Sequence, residues 1–501
     1  MALKKIVREK REGLSMGKQN DKELIYQLEG RPSFKTAFPL GLQHILAMFT
    51  GNLAPILIIA SICGLEPADK TIMLSSAMIV SGVTTLFQLY PLKLGKSFRI
   101  GANLPIVMGT SFAFVSVASI VATQVAPSMG LTDPRDIYAL VLGCSLVGGL
   151  VEVFMGFFYK KLSDLFSPIV VGTTLIAIGL NLLSAGARYF NGGSNAAANL
   201  AAYNENPDKF QFTGVFGSMK NVCVALFVFV LVLLLQKYGK GIVKNSALLL
   251  GLAIGYLVAI PLGMVNFAPI TAAKVVSVPL PFYFGLKFSI AGILNFALFY
   301  IISGLETIGN TGGITIAAFD REPTSEETSG AILADAGGSM LAAVFNALPN
   351  TAFGQNAGII SMTKIVNKWC VAVGAIFLAL CGLIPKLAAL FQTIPDAVLG
   401  GAIISVFAMI TLNGIKMIAK AGFSERNVTI IGITLAFGIG LTSMELATDT
   451  FPAVIQPLLT AIAPLMSAPA AVCCIVSIVA SICFPMSKED KEKAKSAMQD
   501  V

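Results

Sequence analysis

Charge is what this chain has least of. Asp, Glu, Lys and Arg together make up 12% of its 501 residues, against about 25% in an ordinary soluble domain. Histidine and tryptophan occur once each. A lone His44 excludes a histidine-built metal centre, and no convincing Ser–His–Asp set can be assembled around it. Six of the eight cysteines, Cys63, Cys144, Cys223, Cys381, Cys473 and Cys474, lie inside apolar runs without metal-ligand spacing. They read as small buried hydrophobes rather than as a disulfide framework. Gly95-Lys96-Ser97 looks like the end of a phosphate-binding loop, but Tyr90 stands where that loop needs its first glycine. The polar, basic stretch 1–36 has no apolar core for a signal peptide. These absences leave no cofactor, no metal and no enzyme chemistry to argue for.

What is plentiful is apolar sequence, 55% of the chain. Runs of membrane-spanning length recur from end to end. We read about fourteen spans, near 38–64, 70–91, 101–122, 137–159, 166–187, 219–236 and 243–264, then 288–312, 330–349, 352–366, 368–385, 394–413, 427–444 and 453–484. The expected fold is an all-α polytopic membrane protein. Segment 1–36 forms a cytoplasmic tail, 37–264 the first repeat, 287–484 the second and 485–501 a cytoplasmic tail. With both ends inside the cell membrane, the inner segments collect 27 of the 35 basic residues, as the positive-inside rule requires. The net charge of +8 is then a matter of topology and anionic lipid, and nucleic acid is not needed to explain it.

Seven spans per half is an odd number, so the second half is inverted relative to the first. In each half the third span is broken at a matching place. One break is Pro105-Ile-Val-Met-Gly109-Thr110-Ser111-Phe112. The other is Pro349-Asn-Thr-Ala-Phe-Gly354-Gln355-Asn356-Ala357-Gly358. Broken apolar segments at corresponding positions point to a transporter's binding site. We expect a short strand before each break, at Leu104–Met108 and Thr351–Gly354, the two pairing antiparallel. Half-helices would start at Ser111/Phe112 and Asn356/Ala357, with their positive ends facing near the midplane.

Ionisable groups at membrane depth are costly, and each is a functional candidate. Glu306 is the sharpest, deep in the eighth span with no Lys or Arg within a helical turn in sequence. It suits proton uptake or acceptance of N–H bonds. Asp335 follows in the ninth span and suits either a proton shuttle or a helix cap. Glu152 in the fourth span, beside Gly148 and Gly149, suits packing equally well. His44 reads as an organiser of the site.

At Gln355-Asn356-Ala357-Gly358-Ile-Ile-Ser-Met-Thr363-Lys364 the chain resembles the nucleobase–ascorbate transporter family, whose signature is Gln/Glu-Asn-x-Gly-x4-Thr-Arg/Lys/Gly. Gln43-His44, Gly109-Thr110-Ser111-Phe112, Gly304-Leu305-Glu306 and Ala334-Asp335 follow the family pattern in order. The resemblance implies a core of spans 1–4 and 8–11, a gate of spans 5–7 and 12–14, a homodimer, and import of a nucleobase with a proton. It assigns Glu306 to the ring N–H groups, Gln355 to the ring's carbonyl and amide edge, Phe112 to stacking, and backbone N–H groups near Phe112 and Ala357 to ring oxygens. Asn356 would hold the half-helix, Asp335 would serve coupling, and Thr363 and Lys364 would filter on the inward path. Asn310 stands where many purine members carry Asp. Gln rather than Glu at position 355 points to xanthine or uric acid over uracil, since an amide both donates and accepts. Ser111 leaves room for the extra oxygen of urate. The alternatives are a permease for uracil or another nucleobase, or an inorganic-anion transporter of similar inverted fold.

Overall fold

The computed structural model describes residues 21–95, 98–162, 167–193, 195–440, 452, 456 and 469–485. Expectations for residues 1–20, Lys96 and Ser97, about half of the fourteenth span (453–455 and 457–468) and nearly all of the tail 485–501 lie outside these. The protein is overwhelmingly helical. In chain order come α1 (Phe34–Ile62) and α2 (Pro67–Leu89), a hairpin of β1 (Leu92–Leu94) and β2 (Phe98–Ile100), then β3 (Met108–Thr110) and α3 (Ala113–Ile120). Next are α4 (Pro134–Gly148), α5 (Leu150–Leu162), α6 (Pro168–Phe190), α7 (Met219–Tyr238) and α8 (Ala247–Ala259). The second half runs α9 (Ile290–Phe319), α10 (Ser325–Val344), β4 (Asn350–Ala352), α11 (Gln355–Thr363), α12 (Lys368–Gly382) and α13 (Pro385–Gln392). It closes with α14 (Asp396–Ala421), α15 (Glu425–Gly440) and α16 (Pro469–Cys483).

Local chemistry sets where these helices start. Proline occupies the first turn of α2, α4, α6 and α13, where its missing N–H costs nothing. Side chains of Asp133, Ser167, Ser218 and Asn367 cap α4, α6, α7 and α12. Thr324 and Glu327 form a capping box at α10, and the Arg321 guanidinium on Glu327 holds that carboxyl below its usual range.

Among the described residues, seven helices are long and apolar enough to cross a membrane: α1, α2, α4 with α5, α6, α7, α9 and α14. Helices α12 and α13 meet at an 83° bend, so Pro385 begins a crosswise helix between the spans expected at 368–385 and 394–413. The short α3, α8 and α16, and α10 with Glu326, Glu327 and Asp335, explain why hydropathy and helix length count spans differently. Charged residues at the helix ends pair with one another. Arg135 pairs with Asp69 at 2.8 Å and Lys287 with Asp136 at 2.8 Å. At the other side, Arg99 pairs with Glu326 at 3.1 Å, and Lys368 reaches Glu29 and the Asn103 side chain.

The most extensive packing is α6 along α14. Gly172, Gly179 and Gly186 recur every seven residues on α6 and so share one face. A methyl group at Gly179 would come within 3.0 Å of the Phe407 carbonyl, and one at Gly172 within 2.8 Å of the Gly414 carbonyl. Small residues here let the two backbones touch. Helices α7, α15 and α16 gather around this pair, whereas α1, α2 and α12 form a second group that joins α4, α5, α9 and α10.

The two broken segments meet at the centre. Strands β3 and β4 pair antiparallel, with Met108 opposite Ala352, Gly109 opposite Thr351 and Thr110 opposite Asn350. The half-helices that follow therefore leave the pair in opposite directions. The strands differ from expectation: Leu104–Val107 is irregular and pairing starts at Met108. Pro105 lacks the N–H a ladder needs, and its carbonyl is taken by the Asn356 side chain. Similarly β4 is Asn350–Ala352 rather than Thr351–Gly354, and the half-helices begin at Ala113 and Gln355.

Candidate functional site

The strand pair is held by side chains from both halves. The Asn52 amide oxygen accepts from Thr110 N–H at 2.7 Å, the Thr110 hydroxyl at 3.0 Å and the Ser81 hydroxyl at 2.8 Å. Thr85 accepts from Met108 N–H at 2.9 Å. On the β4 side, the Ser339 hydroxyl donates to the Asn350 carbonyl at 2.9 Å and accepts from its N–H at 3.0 Å. The Asn350 amide donates to Thr84 at 3.0 Å. Short strands buried in lipid-depth protein must have their backbone groups satisfied this way.

Between the two half-helices lies a cavity of about 50 Å³. Its walls come from four places. Thr110, Ser111, Phe112 and Ala113 end β3 and begin α3; Thr351, Ala352, Phe353, Gly354 and Gln355 do the same for β4 and α11. Glu306 projects from α9, and Leu175, Ile178, Val406 and Ile410 close the far side from α6 and α14. Phe112 lies edge-on to Phe407 of α14, with ring centroids 5.2 Å apart. Gly51 and Gly109 make room for the Phe353 ring, which a methyl group at either would strike.

The structure thus brings Glu306, Gln355, Phe112 and Ser111 to one cavity. His44 and Asn356 stand directly behind it. The imidazole Nδ1 of His44 is hydrogen-bonded to the Asn356 amide oxygen, and the Asn356 amide donates to the Pro105 carbonyl. One side chain therefore ties α11 to α1 and to the approach of β3. Other expected residues sit further away. Ala357 N–H donates to the Gly354 carbonyl at 3.1 Å and the side chain packs against the cluster around Ile314 and Ile360, so Gly354 and Gln355, not Ala357, carry the backbone at the cavity wall. The Asn310 amide donates to the Ala352 carbonyl at 2.6 Å and anchors β4. Thr363 accepts from Ile365 N–H at 3.3 Å, and Lys364, in the left-handed region at φ 57°, donates to the Ala317 carbonyl at 3.1 Å. Both residues terminate α11.

Asp335 lies behind Thr351. Its Oδ2 accepts from the Ser303 and Thr351 hydroxyls at 3.4 Å each, and from Thr307. Thr351, Thr307 and Asn52 were not foreseen as site residues, because threonine and asparagine occur throughout the spans and only the strand pairing singles these out.

This is the architecture of a membrane transporter: two broken helices meeting over a largely apolar cavity that holds a deep carboxylate. Two solved structures share the fold. The transmembrane domain of a cyanobacterium bicarbonate transporter, BicA, superposes with a TM-score of 0.54 at 13% identity, over 91% of this chain and all of that one. The murine anion transporter Slc26a9 in the inward-facing state gives 0.51 at 12%, over 90% of this chain and 71% of that one. Sequence is more discriminating than fold. Residues 35–446 match the Permease family model. The xanthine permease of Bacillus subtilis is 31% identical over 82% of this chain and 87% of its own length. The xanthine permease XanP of Escherichia coli is 30% identical over 93% and 96%. The chain belongs to this permease family, the nucleobase–ascorbate transporters that its Gln355–Lys364 motif resembles.

Proposed function

We propose that the protein imports an oxidised purine nucleobase, xanthine or uric acid, together with a proton. The observation that carries this reading is that Glu306 and Gln355, from different helices, line one cavity. A carboxylate there accepts ring N–H groups, and an amide both donates to and accepts from a purine dione or trione. Phe112 supplies a ring face, and Asp335 serves coupling through Thr351. Both sequence relatives are xanthine permeases, which agrees.

The cavity of about 50 Å³ is far below the roughly 300–1,000 Å³ of small-molecule sites. Loading therefore requires its walls to part. The packing divides naturally along that line: α6, α7, α8, α14, α15 and α16 form the gate, and the remaining helices the core. In this reading fourteen spans form two inverted sets of seven, both termini are cytoplasmic, and the protein works as a homodimer in the cell membrane. Thr363, Lys364 and Asn310 act on substrate choice by fixing where α11 starts and ends. An inorganic-anion carrier shares the fold, but Glu306 repels a small anion. A uracil carrier is better served by two carboxylates than by Glu306 with Gln355.

The test is uptake of labelled xanthine, uric acid and uracil into cells without their own nucleobase carriers, with and without a protonophore. Purine uptake that collapses with the proton gradient supports the proposal. Uracil uptake overturns the Gln355 argument, and absence of all three, with protein in the membrane, overturns nucleobase transport.

A further inference from the structure

Glu152 has no role in the account above, yet it is a fully buried carboxyl with both oxygens unpartnered. It is fully buried on the first turn of α5, just after the Gly148–Gly149 break, where α5 packs on α9 and α10. Neither carboxyl oxygen has a hydrogen-bond donor. Its neighbour is Asp335, on the helix α10 that α5 packs against, and the two carboxyls act on each other directly. On Asp335, the three hydroxyls of Ser303, Thr307 and Thr351 all go to Oδ2, while Oδ1 has no donor. Among the described residues no salt bridge reaches either carboxyl. The titratable groups facing the pair are Glu306 and Tyr300, both on α9. Tyr300 is engaged with Ser145 at 2.8 Å, and Glu306 can only add negative charge.

Two neighbouring carboxyls, one without any donor and the other with one bare oxygen, out of water and without a cation, cannot both be ionised. A proton between them removes the repulsion and gives one Glu152 oxygen and the Asp335 Oδ1 a hydrogen bond. We propose that Glu152 and Asp335 share a proton, with Glu152 as donor, and that this pair is the coupling group of the transport cycle. The coupling half rests on the proposed proton symport. The balance is simple: one proton enters the pair from one side of the membrane, stays on a Glu152–Asp335 hydrogen bond during the conformational change, and leaves to the other side. Thr351, which donates to Asp335 and lines the cavity, connects the pair to bound substrate. Glu152 acts through Asp335 and is a positioning and proton-holding residue, not a substrate contact.

Glu152→Gln tests this, because the amide keeps a donor toward Asp335 but cannot release it. In infrared spectra of the purified protein at neutral pH, the wild type shows a protonated-carboxyl C=O band that shifts in heavy water and is lost in Glu152→Gln. In proteoliposomes, Glu152→Gln retains xanthine counterflow within about twofold, while gradient-driven accumulation falls by about tenfold or more, in the range of a coupling free energy. An unchanged carboxyl band in the variant overturns the shared proton, whatever the substrate proves to be. Loss of the band with wild-type accumulation overturns the coupling role. Absence of any xanthine counterflow in the wild type defeats the nucleobase reading, and with it the coupling claim, while leaving the infrared result to decide the pair.

Discussion

At the scale of single residues, the site separates groups that face the cavity from groups that hold those groups in place. Glu306 belongs to the first kind. Glu306→Gln keeps size and polarity but removes the charge, and is expected to abolish uptake with membrane expression unchanged, checked by uptake and immunoblot together. Gln355→Glu should weaken purine uptake by about tenfold, or ~1.4 kcal/mol, because a second carboxylate cannot donate to a purine carbonyl; competition assays with xanthine read this directly. Asn356 belongs to the second kind. Asn356→Ala strands the His44 imidazole and the Pro105 carbonyl, each an unsatisfied buried group costing about 1–3 kcal/mol. Thermal melting in detergent should fall, and uptake with it, even though residue 356 does not line the cavity.

At the scale of elements, the decisive unit is the pair β3–β4 with its two half-helices. Three paired residues on each strand are too few to stand alone. Asn52, Thr85, Ser339 and Asn350 supply the remaining hydrogen bonds. The second unit is the α6–α14 contact, built on glycines seven apart. Gly179→Leu forces a side chain into the Phe407 carbonyl and Thr411. Overpacking of this kind costs about 1–3 kcal/mol or more, so the variant should give little monodisperse protein in size-exclusion chromatography, while Gly312→Ala, where added bulk meets nothing within 4 Å, should behave as wild type. The Gly179 seam was readable as a seven-residue repeat, but glycine is common in every span and only the packed partner gives the repeat its meaning.

At the scale of the whole molecule, the cavity is lined by both groups of helices, and Phe112 of one meets Phe407 of the other. Val406 faces the cavity from α14. In a cysteine-free background, a Val406→Cys variant should react slowly with a membrane-permeant thiol reagent and be protected by added xanthine. Equal labelling with and without xanthine would place substrate elsewhere.

Composition and hydropathy by themselves determined the membrane class, because nothing but a bilayer stabilises so many long apolar runs with so little charge. The breaks at Gly109 and Gly354 and the motif from Gln355 to Lys364 marked the site, since an interrupted backbone at membrane depth needs a purpose that sequence can reveal. Glu306 stood out for the same reason: an isolated charge in an apolar span is visible without coordinates. Which neighbours these residues meet was decided only by the tertiary structure. His44 reaching Asn356 across 312 positions of chain, Thr351 joining the cavity to Asp335, Asn310 holding β4, and Glu152 turned from packing residue to carboxyl partner all depend on helix rotation and depth. Those follow from how two halves pack together, a property that no local window of sequence contains.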